Sequence, residues 1–188
     1  MDNRAVILAR ALDLFAARGY DAVGVQEIVE AAGVTKPTLY HYFGSKRGLL
    51  DVLLQAHFER LIEQVEKAAI YQGDLTLTLE KVMKAYSAFA KTDGDFYRMQ
   101  LGMYFAPPES ESFKAVYHYH EQQYAIMERV FVQAVVNHGN MRGRQQRYAI
   151  SFLGMINNYL SLWLNGYLEM SDKLIYDALH QFMHGIFS

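Results

Sequence analysis

The segment from Val25 to Lys46 constrains the fold of this chain more than any other stretch. Its first part, up to Ala32, places apolar residues three and four positions apart, which is the spacing of one buried helical face. Gly33 follows, and glycine can leave a helix with a positive φ at no steric cost. Thr35 offers a hydroxyl cap for a second helix, and Pro37 fits the first turn of that helix. The segment is therefore predicted to form two short helices joined by a tight turn.

The side chains of the second short helix favour a DNA-reading role. Leu39 and Phe43, four residues apart, can anchor its inner face. The other positions carry base-edge and phosphate donors, as in helix-turn-helix proteins, whose second helix lies in the major groove. The alternative is an ordinary solvated turn between two core helices. The candidate DNA-binding residues are Lys36, Pro37, Thr38, Tyr40, His41, Tyr42 and Lys46.

A longer string, GY-x(3)-GV-x(2)-I-x(3)-AGVTKPTLYHYFGSKRGLL, resembles the DNA-binding domain of the TetR family of bacterial transcriptional regulators. The resemblance covers roughly the first fifty residues, and beyond them only the all-helical layout and the length are similar. The sequence departs from the family pattern at Val23 and Gly24, where the family usually has Thr or Ser. The hydroxyl contact to a phosphate is lost there, so DNA affinity is expected to depend more on Tyr40, Tyr42 and Lys46.

Composition and charge place the chain among ordinary globular proteins. Apolar residues make up 52% and charged residues 20%, and no cysteine is present, which excludes disulfides and thiol catalysis and suits a reducing cytoplasm. No signal-peptide pattern and no long apolar run occur, so a cytoplasmic protein without a membrane partner is expected. The net charge is −2, but residues 36–47 hold three cations (Lys36, Lys46 and Arg47) and no acid. That local balance is compatible with binding to a DNA duplex.

Helical periodicity continues along the whole chain and predicts an all-α fold of about nine helices without strands. The sequence DLTLTLE alternates like a strand, but Leu75, Leu79 and Val82 keep helical phase, and a lone short strand would have no partner. We predict a helix-turn-helix DNA-binding domain at 1–47 and a ligand-binding and dimerisation domain at 48–188. Besides the short helix after Thr35, the predicted helices span about 3–18, 25–32, 46–69, 75–91, 96–105, 109–137, 145–168 and 172–186.

The helix predicted at 145–168 carries apolar residues on all sides, and such a helix must be covered on all sides. Together with the last helix it predicts a homodimer, in which a four-helix bundle forms across a two-fold axis. The alternative is that both faces are covered within one chain. The resemblance to the TetR family implies the same dimer. The candidate interface residues are Leu153, Leu164, Leu168, Leu179, Phe182 and Met183.

The middle helices are rich in Tyr, Phe and Met at positions where Leu and Ile would pack with better-defined rotamers. On residue pattern alone, a normal core with satisfied polar tips is the simpler interpretation. The TetR resemblance implies an effector pocket in this region, which favours a cavity for a mostly apolar ligand, with Gln100 and His120 as hydrogen-bonding groups. The candidate ligand-binding residues are Tyr86, Phe89, Met99, Gln100, Met103, Tyr117, His120, Tyr124, Tyr159 and Trp163.

Other chemistries find little support in the sequence. Asp177, His180 and His184 have the spacing of zinc ligands on one helix face, but no fourth ligand is evident, so no metal or other cofactor is assigned. No Gly-rich phosphate loop, HExxH or GxSxG motif suggests an enzyme. The chain is interpreted as a ligand-responsive dimeric regulator, a repressor rather than an activator, that binds a palindromic DNA operator and is released by a small effector. The alternative is a helical small-molecule carrier or metal-dependent enzyme that keeps the helix-turn-helix only structurally.

Overall fold

A computed structural model describes residues 2–185, and all regular secondary structure in that range is helical. It contains nine α-helices and one turn of 3-10 helix at Gly139–Met141, without a strand in the described range, which confirms the all-α prediction. The bounds are α1 Asn3–Arg18, α2 Val25–Ala32, α3 Lys36–Phe43, α4 Lys46–Ala68, α5 Leu75–Thr92, α6 Gly94–Tyr104, α7 Glu111–Ala134, α8 Gln145–Leu164 and α9 Asp172–His184. No helix in this part of the chain is long and apolar enough to span a membrane.

Several predicted helix ends differ from the structure by one to four residues; for example, α6, predicted at 96–105, spans Gly94–Tyr104. The helix predicted at 145–168 ends at Leu164, because Gly166 turns the chain out of the helix with φ +77°. Leu168 therefore lies beyond α8, and its assignment to that helix is wrong. The helix predicted at 109–137 is shorter at both ends, where turns precede Glu111 and follow Ala134. The predicted end of the last helix at Ile186 lies outside the described residues.

The start of α5 and the start of α3 show how caps decide helix boundaries. Asp74 Oδ1 accepts a hydrogen bond from Leu77 N at 2.8 Å, and the helix predicted to begin at Leu75 is confirmed. The hydroxyl cap predicted at Thr35 is wrong. Its hydroxyl pairs with that of Thr38 at 2.9 Å and accepts no backbone N–H, because the short Thr38 side chain competes for it.

The described chain divides into two compact units. The N-terminal unit comprises the residues up to Arg60 together with Asp93–Tyr119, that is, α1–α3, the first part of α4, α6 and the first part of α7. Within it α1 contacts α2, α3 and α6. The buried face of α1 consists of Ile7, Ala11 and Phe15, and this apolar stripe holds the helix-turn-helix pair.

The C-terminal unit comprises Leu61–Thr92 and the residues from His120 onward. Within it α5 packs against α8 and α9. Aromatic rings fill part of its core, with the centroids of Phe152 and Phe182 5.3 Å apart and those of Phe131 and Phe182 6.4 Å apart. This division groups α6 with the helix-turn-helix helices, and the domain boundary after residue 47 stays a prediction.

Candidate nucleic-acid interface and ligand cavities

The hairpin of α2 and α3 presents α3 on the surface of the N-terminal unit. Gly33 adopts the left-handed conformation at φ +65°, and the N–H of Val34 donates to the carbonyl of Val29 at 3.0 Å. Leu39 is fully buried and Phe43 is 8% exposed. The inner face of α3 is thereby fixed against the core, as the spacing of these two residues predicts.

The outer face of α3 carries most of the predicted DNA-binding residues. Tyr40 and Tyr42 are 45% and 39% exposed, although large aromatic side chains are usually more buried. The rings of His41 and Tyr42 meet edge to face at 5.4 Å, which limits the motion of both side chains. Lys36, Pro37 and His41 are exposed, and Thr38 is half-buried.

Within the described part of the chain, Lys36 has no acidic partner, unlike two arginines of the same unit. Arg18 pairs with Glu27, and Arg47 pairs with Asp51 at 2.7 Å. Among residues 2–185, no ion pair involves Lys36. Its charge is therefore available to a phosphate or a base edge.

The Lys46 ammonium is partly engaged in hydrogen bonds within the N-terminal unit. Its Nζ donates to the carbonyl oxygens of Tyr20 at 2.9 Å and Val23 at 2.8 Å, and it lies 4.0 Å from the Tyr20 ring centroid. An ammonium has three donors, so one remains for DNA. The sequence could not show this role, because the two carbonyls lie 26 and 23 positions away. The DNA contact of Lys46 stays a prediction.

The same loop between α1 and α2 is tied to the first turn of α7. The Tyr20 hydroxyl donates to Glu111 Oε2 at 2.7 Å, and Ser112 Oγ donates to Asp21 Oδ2 at 2.8 Å. Burial and the hydrogen bond to the Glu111 carboxylate raise the pKa of Tyr20 above its ordinary value, so this hydroxyl remains a donor. We call these four residues the loop clamp. Local sequence patterns do not indicate these two hydrogen bonds, because the paired residues are 91 positions apart.

The predicted ligand-binding residues are distributed over both units. In the C-terminal unit, Tyr86, Phe89 and His120 are buried, while Tyr124, Tyr159 and Trp163 are half-buried. The Tyr86 hydroxyl donates to Gln123 Oε1 at 2.8 Å, and Gln123 is a buried polar residue that the sequence analysis missed. Gln123 follows His120 by three positions on α7, so both lie on the same helical face. That spacing is the signal in the sequence that indicates a buried position for Gln123. In the N-terminal unit, Met99, Gln100 and Met103 are buried and Tyr117 is 44% exposed.

The polar groups of this set have distinct surroundings. Gln100 is 1% exposed, and its Oε1 has no hydrogen-bond partner among the described residues. Burial lowers the pKa of the His120 imidazole to about 4. His120 is therefore neutral at pH 7, which suits an uncharged hydrogen bond in an apolar surrounding.

The low pKa of His120 predicts a pH dependence of stability. In the unfolded chain the pKa returns to 6.5, so the unfolded state takes up a proton between pH 7 and 5 while the folded state does not. We expect this residue to lower the free energy of unfolding by about 2 kcal/mol between pH 7 and 5. His120→Leu should remove that part of the dependence in urea titrations at both pH values. Since all other titrating groups are shared, equal pH dependence of the two proteins would contradict the assignment.

Each unit contains a cavity large enough for a small molecule. A cavity of about 400 Å³ in the N-terminal unit lies between α1 and α6, and Met99 and Met103 line it. A cavity of about 440 Å³ in the C-terminal unit, which we call the end cavity, lies where α5 begins and α9 ends. A third, of about 420 Å³, includes Trp163 in its wall. None of the predicted ligand-binding residues lines the end cavity.

The surfaces of α8 and α9 bear directly on the predicted dimer. Ile150 and Leu162 of α8 are 51% and 46% exposed, and Tyr176 of α9 is 67% exposed. Of the candidate interface residues, Leu153 and Leu179 are buried within the unit, Leu164, Leu168 and Phe182 are half-buried, and Met183 is 38% exposed. The uncovered apolar surface thus includes Leu162 and Tyr176, which the sequence analysis did not single out.

The histidines of α9 do not form a metal site in one chain. The rings of His180 and His184 lie 4.5 Å apart, but the Asp177 carboxylate accepts a hydrogen bond from Lys173 Nζ at 2.5 Å. Within the described range, no three His, Asp or Glu side chains are grouped so that they could hold a metal ion.

Comparison with known proteins identifies similar chains. Residues 7–53 match the family described as bacterial regulatory proteins, tetR family. The transcriptional activator FasR of Mycolicibacterium smegmatis is 36% identical over 98 residues, which are 52% of this chain and 45% of FasR. The transcriptional repressor KstR2 of Rhodococcus jostii is 34% identical over 81 residues, 43% of this chain and 40% of KstR2. The chain thus spans less than half the length of these relatives.

The fold is similar to solved structures over almost its whole length. FadR from Bacillus subtilis, solved in complex with stearoyl-CoA, aligns with a TM-score of 0.79 over 97% of this chain and 98% of FadR. The two sequences are 19% identical, so the likeness is one of fold.

Proposed function

The chain belongs to the TetR family of bacterial regulatory proteins, and on that premise we propose that it is a homodimeric repressor of transcription. The two α3 helices, one per subunit, would read half-sites of a palindromic operator about 34–36 Å apart. The observation that carries the proposal is the outer face of α3. An unpaired lysine, a histidine and two partly exposed tyrosines project from a helix whose inner face is anchored by Leu39 and Phe43.

The candidate DNA-binding residues of α3, together with Lys46 at the start of α4, divide into two proposed roles. Phosphate contacts fix the register of a protein on DNA, whereas base-edge contacts read the sequence. We assign phosphate contacts to the Tyr40 and Tyr42 hydroxyls and to the remaining donor of Lys46. Lys36 and His41 are assigned to base edges.

The roles predict different responses to mutation. Lys36→Ala should alter the preferred half-site and weaken binding to the preferred operator by about 1–3 kcal/mol. Tyr42→Phe should weaken binding by the same factor on every DNA sequence, because a phosphate contact carries no sequence information. Selection from a random DNA library, followed by fluorescence anisotropy on the selected sites, measures both effects. Lys91→Ala, an exposed lysine of the C-terminal unit, is the matched control. Unchanged affinity and site preference in Lys36→Ala would show that α3 is oriented differently.

The effector of this regulator is proposed to be a small, mostly apolar molecule. Tyr86, Phe89 and Trp163 would contact its apolar part, and His120 would supply a neutral hydrogen-bonding group. The complex of FadR with stearoyl-CoA makes long-chain acyl-CoA the first class to test. Only its acyl chain is apolar and would meet these residues, because the coenzyme A part is polar and negatively charged. Effector binding would lower operator affinity, and the operator would lower effector affinity by the same factor.

The loop clamp offers a route for this coupling. The helix α7 carries Glu111 and Ser112 of the clamp at its first turn, and it carries His120 and Tyr124 further along. A shift of α7 on effector binding would therefore move the loop between α1 and α2. Lys46 ties that loop to the start of α4, directly after α3. The orientation of α3 would change as a result.

Operator binding in the presence and absence of stearoyl-CoA tests the proposal. We expect the acyl-CoA to weaken binding to the selected operator at least about tenfold, and free coenzyme A to leave it unchanged. Native mass spectrometry of the purified protein would reveal a different effector retained through purification. A protein that binds DNA only in a salt-labile, sequence-blind manner would instead be a carrier that keeps α2 and α3 structurally, which would refute the regulatory role.

A further inference from the structure

The end cavity of the C-terminal unit contains none of the residues assigned to DNA or effector binding, although Phe182 and Met183 in its wall are candidate interface residues. It measures about 440 Å³, which is within the usual size of small-molecule sites. Its walls come from the start of α5, the last part of α7, the 3-10 turn, the first turn of α8 and the end of α9. Its lining includes one acid, Asp74, and one histidine, His138, together with the apolar or aromatic residues Leu79, Phe131, Met141, Tyr148 and Phe182.

The floor of the end cavity is apolar and desolvated. Leu79, Phe131 and Met141 are 0%, 1% and 7% exposed. The Phe131 ring centroid lies 5.6 Å from that of Tyr148 and 6.4 Å from that of Phe182. Tyr148 and Phe182 are only half-buried, so their rings remain accessible from the cavity. Aromatic rings in a desolvated site attract cations, because the quadrupole of the ring gives its face a negative electrostatic potential.

An acid lies at the edge of this aromatic group. Asp74 Oδ1 accepts the N–H of Leu77 at 2.8 Å, which holds the carboxylate in place at the start of α5. No ion pair within residues 2–185 involves Asp74, so its charge is not neutralised by a lysine or arginine. Asp74 lies at the positive end of the α5 helix dipole, which favours its ionised form. The negative charge of its carboxylate would repel an anion that entered the cavity.

We propose that the end cavity is a ligand site for small lipophilic cations. The three rings and the apolar floor would hold the aromatic or aliphatic body of the ligand. Asp74 and the ring faces would select a positive charge over a neutral or negative group. The site differs in its residues and in ligand charge from the proposed effector site, and ligand binding to it requires no DNA.

Calorimetric titration of the full chain with three probes of similar size tests the proposal. The probes are benzyltrimethylammonium, neutral benzyl alcohol and anionic phenylacetate. We expect saturable binding of one benzyltrimethylammonium per chain, and binding weaker by at least about tenfold for the other two probes. Because DNA is absent, failure here leaves the regulatory proposal untouched, and loss of DNA binding leaves this one untouched.

Two variants locate the charge selection. Asp74→Asn keeps an oxygen that accepts the Leu77 N–H, so helix capping and thermal stability should be retained. It should weaken benzyltrimethylammonium binding by about tenfold. Tyr148→Leu keeps an apolar wall but removes a ring, and it should weaken the cation more than benzyl alcohol. Asp172→Asn, an exposed acid that does not line the cavity, is the control and should change nothing.

The proposal is overturned by any of three outcomes. One is the absence of saturable binding of benzyltrimethylammonium to the unmodified chain. Another is equal affinity for the cation and for phenylacetate or benzyl alcohol, which would leave only an unselective apolar cavity. The third is unchanged cation affinity in folded Asp74→Asn.

Discussion

Gly48→Ala is expected to abolish operator binding and to destabilise the chain by about 3 kcal/mol, at the upper end of the range for overpacking. A Cβ on Gly48 would lie 2.1 Å from the carbonyl oxygen of Phe43 and 3.3 Å from its carbonyl carbon. Both are backbone atoms, so no side-chain rotation relieves the clash. Phe43 is the last residue of α3, and relief therefore requires a displacement of the helix that carries the proposed DNA contacts.

Gly102→Ala is the matched control for this prediction. Gly102 also lies within a helix, α6, but a Cβ there would meet no heavy atom within 4 Å. Alanine is favoured over glycine inside helices by up to about 1 kcal/mol, so this variant should be as stable as the unmodified chain or more stable. Urea unfolding followed by circular dichroism and operator binding followed by anisotropy compare the two variants. Unchanged stability and affinity in Gly48→Ala would mean that the α3–α4 turn moves freely and does not set the position of α3.

The sequence was informative wherever the determinants are local. The spacing of Leu39 and Phe43 and the single Gly33 specify the α2–α3 hairpin, because they act within one helical turn or one residue. The same holds for α5, where helical phase outweighed the alternation of DLTLTLE. The predicted end of α8 at residue 168 is wrong, because apolar residues continue past Leu164 whereas the backbone leaves the helix before Gly166, which has a positive φ.

Pairings between distant segments could not be predicted. The loop clamp joins Tyr20 to Glu111, and nothing in either local pattern indicates that pairing. Phe182 lies on an apolar arc of α9, and the sequence does not show that its half-buried ring lies 5.3 Å from that of Phe152 within the unit. Its assignment to the dimer interface stays a prediction. The end cavity is invisible in the sequence for the same reason, because five separate segments contribute its walls. Periodicity shows which face of a helix is apolar but not which partner covers it.

Leu162→Arg is expected to convert the proposed dimer into a monomer and to weaken operator binding at least about a hundredfold. The uncovered apolar side chains of α8 and α9 include Leu162 and Tyr176, and the proposed two-fold bundle would bury apolar side chains of these two helices. An arginine there would place an unpaired charge in an apolar interface. Two linked recognition helices gain about 10²–10⁴ in affinity over one, and a monomer loses that gain.

Leu77→Arg separates this effect from a general cost of replacing an exposed leucine. Leu77 lies on α5 in the same unit and is 46% exposed, as is Leu162, but it does not belong to the α8–α9 surface. We expect Leu77→Arg to remain dimeric in light scattering and to bind the operator normally, while Leu162→Arg keeps its helical circular dichroism as a monomer. A folded Leu162→Arg dimer with normal operator affinity would place the dimer interface elsewhere. Loss of the dimer in both variants would show that added charge alone disrupts assembly, because Leu77 and Leu162 start from the same exposure.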